Sequence, residues 1–354
     1  MFAYIFTLIG AFVVISLNLF VNEYKQNTIV SDIYIGSTSK ANVNNYLSQT
    51  VNSNIDQFVI SYTFNNNTYQ SSANFVEYDS LKTIENIING DKSDIYVISD
   101  ISILKEQFKR KLPKIIFDNI DYEALNELIV TNIINMYPGV DIYIMDYLFD
   151  FDQLTEVINS FTYYTTSTTD ILNIFDEKSI IIEPNSRFSL LNTFNNLIIT
   201  NEQINIIATG INAVVLNTNF TSFDKANHRV SYINIDSTIG KYDTYVNSAQ
   251  NRDFSFYNPY DYPYEIVISN VGDNLIFKLI GIPFETEYIH KLKTTEIEHV
   301  KLNQDEIPVG ATIIYGSDGI IIEVSRYIVN DGIEIKDEVL YVNYFGPVDE
   351  SYED

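Results

Sequence analysis

Residues 1–21 are apolar almost without a break, interrupted only by Thr7, Gly10, Ser16 and Asn18. This run constrains the chain most, because about 20 apolar residues wound as a helix span the roughly 30 Å hydrocarbon core of a bilayer. No Lys or Arg precedes it and no small-x-small cleavage pattern follows, which favours an uncleaved anchor over a removed signal peptide. A buried core helix is the alternative. The first basic residue, Lys25, comes after the span, so charge sets the orientation only weakly. No second hydrophobic span exists. Everything after Tyr24 is therefore expected on one side of a cell membrane, as the extracytoplasmic bulk of a single-pass protein.

The rest of the 354 residues carries 21 Lys and Arg against 47 Asp and Glu, a formal charge of −26. Such acidity excludes nucleic acid as a partner, since phosphate binding needs a basic face to release counterions. It also argues against an anionic membrane surface. Hydrophobic residues make up 46% and charged residues 19%, enough apolar material for a sizeable core and too little charge for wholesale disorder. The 27 Tyr and 22 Phe lean towards strand. Cysteine is absent, which removes disulfides, thiolate metal sites and cysteine nucleophiles together. With only His228, His290 and His299, a histidine-rich metal site is not expected, nor any cofactor.

Residues 22–32 read as a polar stem. A short strand from Ile33 stops at Gly36, and Thr38 or Ser39 can cap a helix with Ala41, Val43, Tyr46 and Leu47 on one face. Gln57-Phe-Val-Ile-Ser-Tyr-Thr-Phe64 alternates with period two, and an Asn turn at 65–67 leads into the return strand of a hairpin. Between 101 and 179 the chain reads as helical or mixed. Residues 121–137 keep helical spacing through Leu125, Leu128, Ile129, Ile133 and Met136, ending at Pro138-Gly139. Residues 105–114, Lys-Glu-Gln-Phe-Lys-Arg-Lys-Leu-Pro-Lys, form the only basic cluster; it reads as a solvated helix face or an anion site.

From Ile180 the chain reads as strand-rich, with apolar runs at 204–210 and 212–216. A Pro- and Tyr-punctuated turn, Phe254-Ser-Phe-Tyr-Asn-Pro-Tyr-Asp-Tyr-Pro-Tyr264, leads to a hairpin over 265–280 turning at Gly272-Asp273-Asn274. Further strands follow from 284 to 347, with turn signals at Pro308-Val-Gly310, Gly316-Ser-Asp-Gly319 and Asn330-Asp-Gly332. The acidic end, 348–354, is expected to fray.

Residues 180–283 resemble a diverged VanW-type domain. Pro184-Asn-Ser-Arg-Phe-Ser-Leu-Leu191 keeps Pro184, Phe188 and Ser189 of the family's Pro-Gly-Glu-x-Phe-Ser-Phe-Asn element. Asn227-His-Arg-Val-Ser-Tyr232 partly matches the family's Arg-x-x-His-Ser stretch and the Tyr that follows it, through His228 and Tyr232. The best match is 253–264, which is similar to the family's Asp-x-x-Phe-x-Asn…Pro-Ile strand entry through Asp253, Phe256, Asn258 and Pro263. Residues 33–100 are similar to the peptidoglycan-binding region that precedes such domains, and 284–347 resemble a G5-like β module. The family hallmark, Gly-Gly-Gly-x-Cys-Gln, corresponds here to Thr209-Gly-Ile-Asn-Ala-Val-Val-Leu-Asn217, which has no cysteine. The resemblance implies a wall-associated protein of a Gram-positive-type bacterium, with peptidoglycan or envelope proteins as partners, and without the chemistry of that cysteine.

Three constellations could carry chemistry. His228 with Asp224 four residues earlier, or with Asp236, could form a His–carboxylate base, with Ser222, Ser231 and Ser237 nearby; a surface histidine on a backbone carbonyl fits the same residues. Asp141, Asp146, Asp150 and Asp152 could pair for glycoside hydrolysis or take Ca²⁺, although chance clustering among 47 acidic residues explains them as well. Tyr257, Tyr260, Tyr262 and Tyr264 could stack on sugar rings or pack in a core. The expectation is an α+β chain, an N-terminal transmembrane helix followed by small α+β modules and a β-rich C-terminal half. It is expected to act as a non-catalytic envelope binder whose ligand site includes His228, Tyr232, Asp253, Asn258, Tyr260 and Tyr262. An envelope hydrolase or transferase using His228 and nearby carboxylates, and a subunit of a larger membrane-associated assembly, are the alternatives.

Overall fold

The computed structural model describes residues 22–164, 171, 179–195, 198–228, 242–303, 307, 308, 310–330 and 333–353. The chain is mixed α+β and divides into two compact units, Met1–Asp150 and Phe151–Asp354. Among the described residues no helix is long and apolar enough to cross a membrane. That overturns the single-pass anchor in the expected fold class and the cell-membrane localisation drawn from it. Residues 1–21, on which both rested, lie outside the described residues.

The first unit runs β1 (Ile29–Val30), β2 (Ile33–Tyr34), α1 (Val43–Gln57), β3 (Val59–Phe64), β4 (Asn67–Ser72) and β5 (Val76–Tyr78). It continues with α2 (Ser80–Glu85), β6 (Lys92–Ser93), β7 (Val97–Ser99), α3 (Ile101–Lys109), α4 (Lys114–Asp118), α5 (Tyr122–Ile134) and β8 (Gly139–Tyr143). Its main sheet has the order β4-β3-β8, with β4 antiparallel and β8 parallel to β3. Helices form because every fourth residue is apolar, as in Val43, Leu47, Val51 and Ile55 of α1 and Leu125, Ile129 and Ile133 of α5, all buried. Asp79, Asp100 and Asp121 cap α2, α3 and α5, each accepting a backbone N–H in the first turn. The β3–β4 turn places Asn65 at φ 48° and Asn66 at φ 59°, the left-handed pair that a two-residue hairpin needs and asparagine tolerates.

The second unit contains β9 (Glu156–Tyr164), β10 (Ile180–Ile182), β11 (Ser186–Ser189), α6 (Leu190–Phe194), α7 (Asn201–Val215) and β12 (Thr221–Asp224). Then come β13 (Ser255–Asn258), β14 (Tyr264–Val271), β15 (Asn274–Gly281), β16 (Glu287–Ile297), β17 (Thr312–Ile314), β18 (Gly319–Asn330), β19 (Ile333–Phe345) and β20 (Ser351–Glu353). The antiparallel sheet β10-β14-β15-β9 carries α7 against β9 and β15, so residues 156–164 join the segment that begins at 180. A second sheet has the order β11-β13-β12 and a third the order β16-β18-β19. The β14–β15 hairpin turns at Gly272, φ 61°, as its Gly-Asp-Asn sequence demands.

The expected cap at Thr38 or Ser39 is not found, since α1 starts at Val43 behind Asn42 with no side-chain cap and leaves Ala41 and Tyr46 exposed; two further expectations fail for physical reasons. Residues 204–216, read as strands, belong to α7. The helix is buried from Ile206 to Val215 on every side, so the sequence shows no broad polar face, while its Thr200/Gln203 capping box is visible. Gly210 is required in it, since a Cβ there would lie 2.3 Å from the Phe277 ring. The acidic end does not fray either: β20 pairs with β17, and Asp349 and Glu350 accept the backbone N–H groups of Val300 and Leu302.

Candidate functional site

The sequence-nominated residues of the second unit fall into two places. Asp253, Asn258, Tyr260 and Tyr262 stand in and around β13. There the two family-like stretches become neighbouring strands, with Phe188 opposite Phe256 and their rings 4.9 Å apart. Asp253 accepts from Ser189 Oγ at 2.6 Å, from the Leu191 N–H at 2.9 Å and from the Phe254 N–H at 2.7 Å, which seats the start of α6. Asn258 is fully buried. Its Nδ2 donates to the carbonyls of Glu183 and Tyr262 at 3.1 Å each, and its Oδ1 accepts the Tyr260 N–H at 3.1 Å, so it braces the Pro- and Tyr-rich turn from within. Tyr260 and Tyr262 stack at 5.1 Å, and Tyr264 stacks on Phe284 at 5.5 Å. Burial pushes the phenols of Tyr260, Tyr262 and Tyr264 up, as expected of hydroxyls held in an aromatic core. Tyr262 and Tyr264 are buried and Tyr260 half-buried, so these rings pack on one another. Tyr232 and Asp236 lie outside the described residues.

His228 does form a His–carboxylate pair, with a partner that the spacing did not name. Its Nδ1 is 2.8 Å from Asp243 Oδ1, and its backbone N–H donates to Asp243 Oδ2 at 2.8 Å. Asp224 instead faces Arg187, 3.7 Å away. A four-residue spacing brings side chains together on a helix. Here Asp224 ends a strand, and four extended residues cover about 13 Å. Asp243 is positioned by α7, which presents a polar stripe at Asn205, Thr209 and Asn212. Asn205 Oδ1 accepts the Val246 N–H at 2.7 Å, Thr209 Oγ1 accepts the Thr244 N–H at 3.2 Å, and Asn212 Nδ2 donates to the Tyr242 carbonyl at 3.0 Å. Lys225 Nζ donates to the Asp243 carbonyl at 2.5 Å and sits 4.2 Å from the centre of the Tyr341 ring. Burial pulls the Lys225 ammonium down to about 7, with the Asp243 carboxylate opposing. The His228 ring meets Tyr245 edge-on at 4.9 Å. Of the serines named with it, Ser222 is an exposed residue of β12, and Ser231 and Ser237 lie outside the described residues.

The basic cluster of the first unit lands on α3 and the turn after it. There it borders a groove of about 790 Å³ whose opposite bank is β4. Lys105, Glu106, Arg110 and Lys111 stand on one bank, with Gln70, Ser71 and Ser72 on the other, and Ser71 Oγ donates to Gln107 Oε1 between them. Lys105 Nζ lies 4.6 Å from the Tyr122 ring centre and Lys111 Nζ 5.7 Å from that of Tyr69. Among the described residues none of the three cations has a carboxylate within 4.0 Å, whereas Lys109 on the same helix meets Glu106 at 4.0 Å. In a chain of charge −26 this is a local concentration of positive charge facing open space. The groove floor is Tyr62, its ring 4.4 Å from Phe108.

Asp141 and Asp146, named for carboxylate chemistry, are exposed, in β8 and in the turn after it. Among the described residues no group of three or more His, Asp or Glu could hold a metal ion. The sequence reading missed Asp243 and Lys225, for which the polar i, i+4, i+7 stripe of α7 was the available signal, and it missed β4 as the second wall of the groove. No protein-family model matches the chain, and no curated protein or solved structure matches it either.

Proposed function

We propose that the chain is a binding protein of the cell envelope whose first unit takes peptidoglycan in the groove between β4 and α3. The carrying observation is that groove: open, with neutral hydrogen-bonding side chains on one bank and, on the other beside Glu106, three cations that among the described residues have no carboxylate within 4.0 Å. Groups that a fold needs for itself are paired; polar groups converging on a concavity without partners are available to a ligand. The similarity of residues 33–100 to a wall-binding region and of 180–283 to a VanW-type domain supports the same reading. Sedimentation of the chain with purified peptidoglycan tests it: co-sedimentation is expected, and a chain left in the supernatant overturns it.

A second reading, an envelope hydrolase, draws on the His228–Asp243 pair, because a carboxylate on Nδ1 orients the imidazole and leaves Nε2 for proton transfer. Wall digestion that persists in a His228→Ala variant would remove it.

A further inference from the structure

The groove has a second property, which concerns backbone rather than side chains. The β3–β4 hairpin closes through two residues, so the flanking pair Phe64–Asn67 is a hydrogen-bonded one, and bonded pairs then alternate along the ladder. Asn67, Tyr69 and Ser71 therefore turn their N–H and C=O groups towards β3. Thr68, Gln70 and Ser72 turn theirs outward. Those three residues are exposed, and among the described residues β4 has no partner on that side. Proteins usually blunt such an edge with a charge, a proline or a bulge. β4 reads Asn-Thr-Tyr-Gln-Ser-Ser and keeps an unbroken register of six pairs with β3, so it has none of these.

We infer that the groove takes an acidic peptide in extended form, added as a strand to the free edge of β4, with its carboxylates on Lys105, Arg110 and Lys111. Two independent features converge on that occupant. The free edge offers main-chain hydrogen bonds to any extended peptide, the basis of recognition by strand addition. The bank opposite favours negative charge, since three cations against the single carboxylate of Glu106 stand across from three uncharged residues of β4. Arg110 supplies a fork for a carboxylate, and Lys105 and Lys111 act as point charges. An anionic glycan would use the charge but not the edge. The inference rests on the groove being a binding site, and its test is separable from that of peptidoglycan binding.

The test is fluorescence anisotropy of the full chain with a fluorescein-labelled octapeptide of alternating Val and Glu. Two companion probes are used: the same peptide N-methylated at alternate residues on its bonding edge, and a Val-Lys octapeptide. Saturable binding of the Val-Glu peptide is expected, weakened about tenfold or more by N-methylation, by the Arg110→Glu/Lys111→Glu variant and by Lys105→Glu, since each loses main-chain or charge-assisted hydrogen bonds. Raising the salt should weaken it further. Equal binding of the N-methylated peptide overturns strand addition and leaves only charge. Equal binding of the Val-Lys peptide, or unchanged binding by both charge-reversal variants with native circular dichroism, overturns the inference. If the peptide binds but the chain does not sediment with peptidoglycan, this inference stands and the envelope reading falls. If the chain sediments and no peptide binds, the reverse holds.

Discussion

Two charged clusters of this protein are built from similar residue types and differ in what the structure does with them. The Lys225–His228–Asp243 cluster of the second unit is closed on itself. Asp243 is 1% exposed, its carboxylate receives both the backbone N–H and Nδ1 of His228, and its carbonyl receives Lys225. The Lys105–Arg110–Lys111 cluster of the first unit pairs with nothing acidic and lines an open groove. The difference teaches where charge is structural and where it is available. A buried charge without partners is costly, so folds complete it internally; an unpaired exposed charge costs little and can wait for a ligand.

Stability measurements break or sharpen that contrast. The largest effect is expected at Asp243. Asp243→Ala strands two His228 donors in a partly buried site and should cost about 2–3 kcal/mol in urea denaturation. A loss under about 0.5 kcal/mol would place Asp243 among the available groups and dissolve the contrast.

The second effect is in pH. The folded-state value of Lys225, pulled down to about 7, lies below that of an unfolded lysine. Between the two values the unfolded chain binds the extra proton, so stability should rise as pH climbs from about 7 to 9 and level off below 7. Lys225→Met should flatten that slope, read from urea midpoints at pH 6, 7.5 and 9. A slope unchanged in the variant would show that this ammonium is solvated after all.

Next comes Thr200→Ala, which removes the capping box of α7. The expected cost is about 1 kcal/mol, half or less of that at Asp243, because only the helix end is affected. The smallest effect is expected in the groove. Arg110→Ala and Lys105→Ala should each change stability by less than about 0.5 kcal/mol. A larger loss on either would make the groove cations structural, like their counterparts in the second unit.

Local chemistry made part of the fold legible. Asn65-Asn66 and Gly272-Asp273 announced their hairpins because few residues accept positive φ. Asp121 followed by Leu125, Ile129 and Ile133 announced α5 through a cap and a period. Residues 204–216 were hard to read because a helix wrapped by protein on all sides has no broad polar face, and its one period is the narrow stripe of Asn205, Thr209 and Asn212 in an otherwise apolar run. The site was legible in residue type but not in pairing. His228 was singled out, yet its carboxylate lies fifteen residues on, held there by α7 and not by local spacing. The Pro- and Tyr-rich turn read equally as sugar platform and as core, and only the ring contacts and burial of Tyr262 and Tyr264 decide for packing.

By itself, then, the sequence determined hairpin turns, the amphipathic helices and the location of the one basic run. These follow from backbone sterics, periodicity and net charge, which act over a few residues or over the whole composition. Tertiary structure alone decided which polar groups are consumed and which stay open. Hydrogen bonding and desolvation depend on neighbours distant in the chain: α7 takes the 242–246 segment, and β4 stands across from α3 to turn a basic run into a groove.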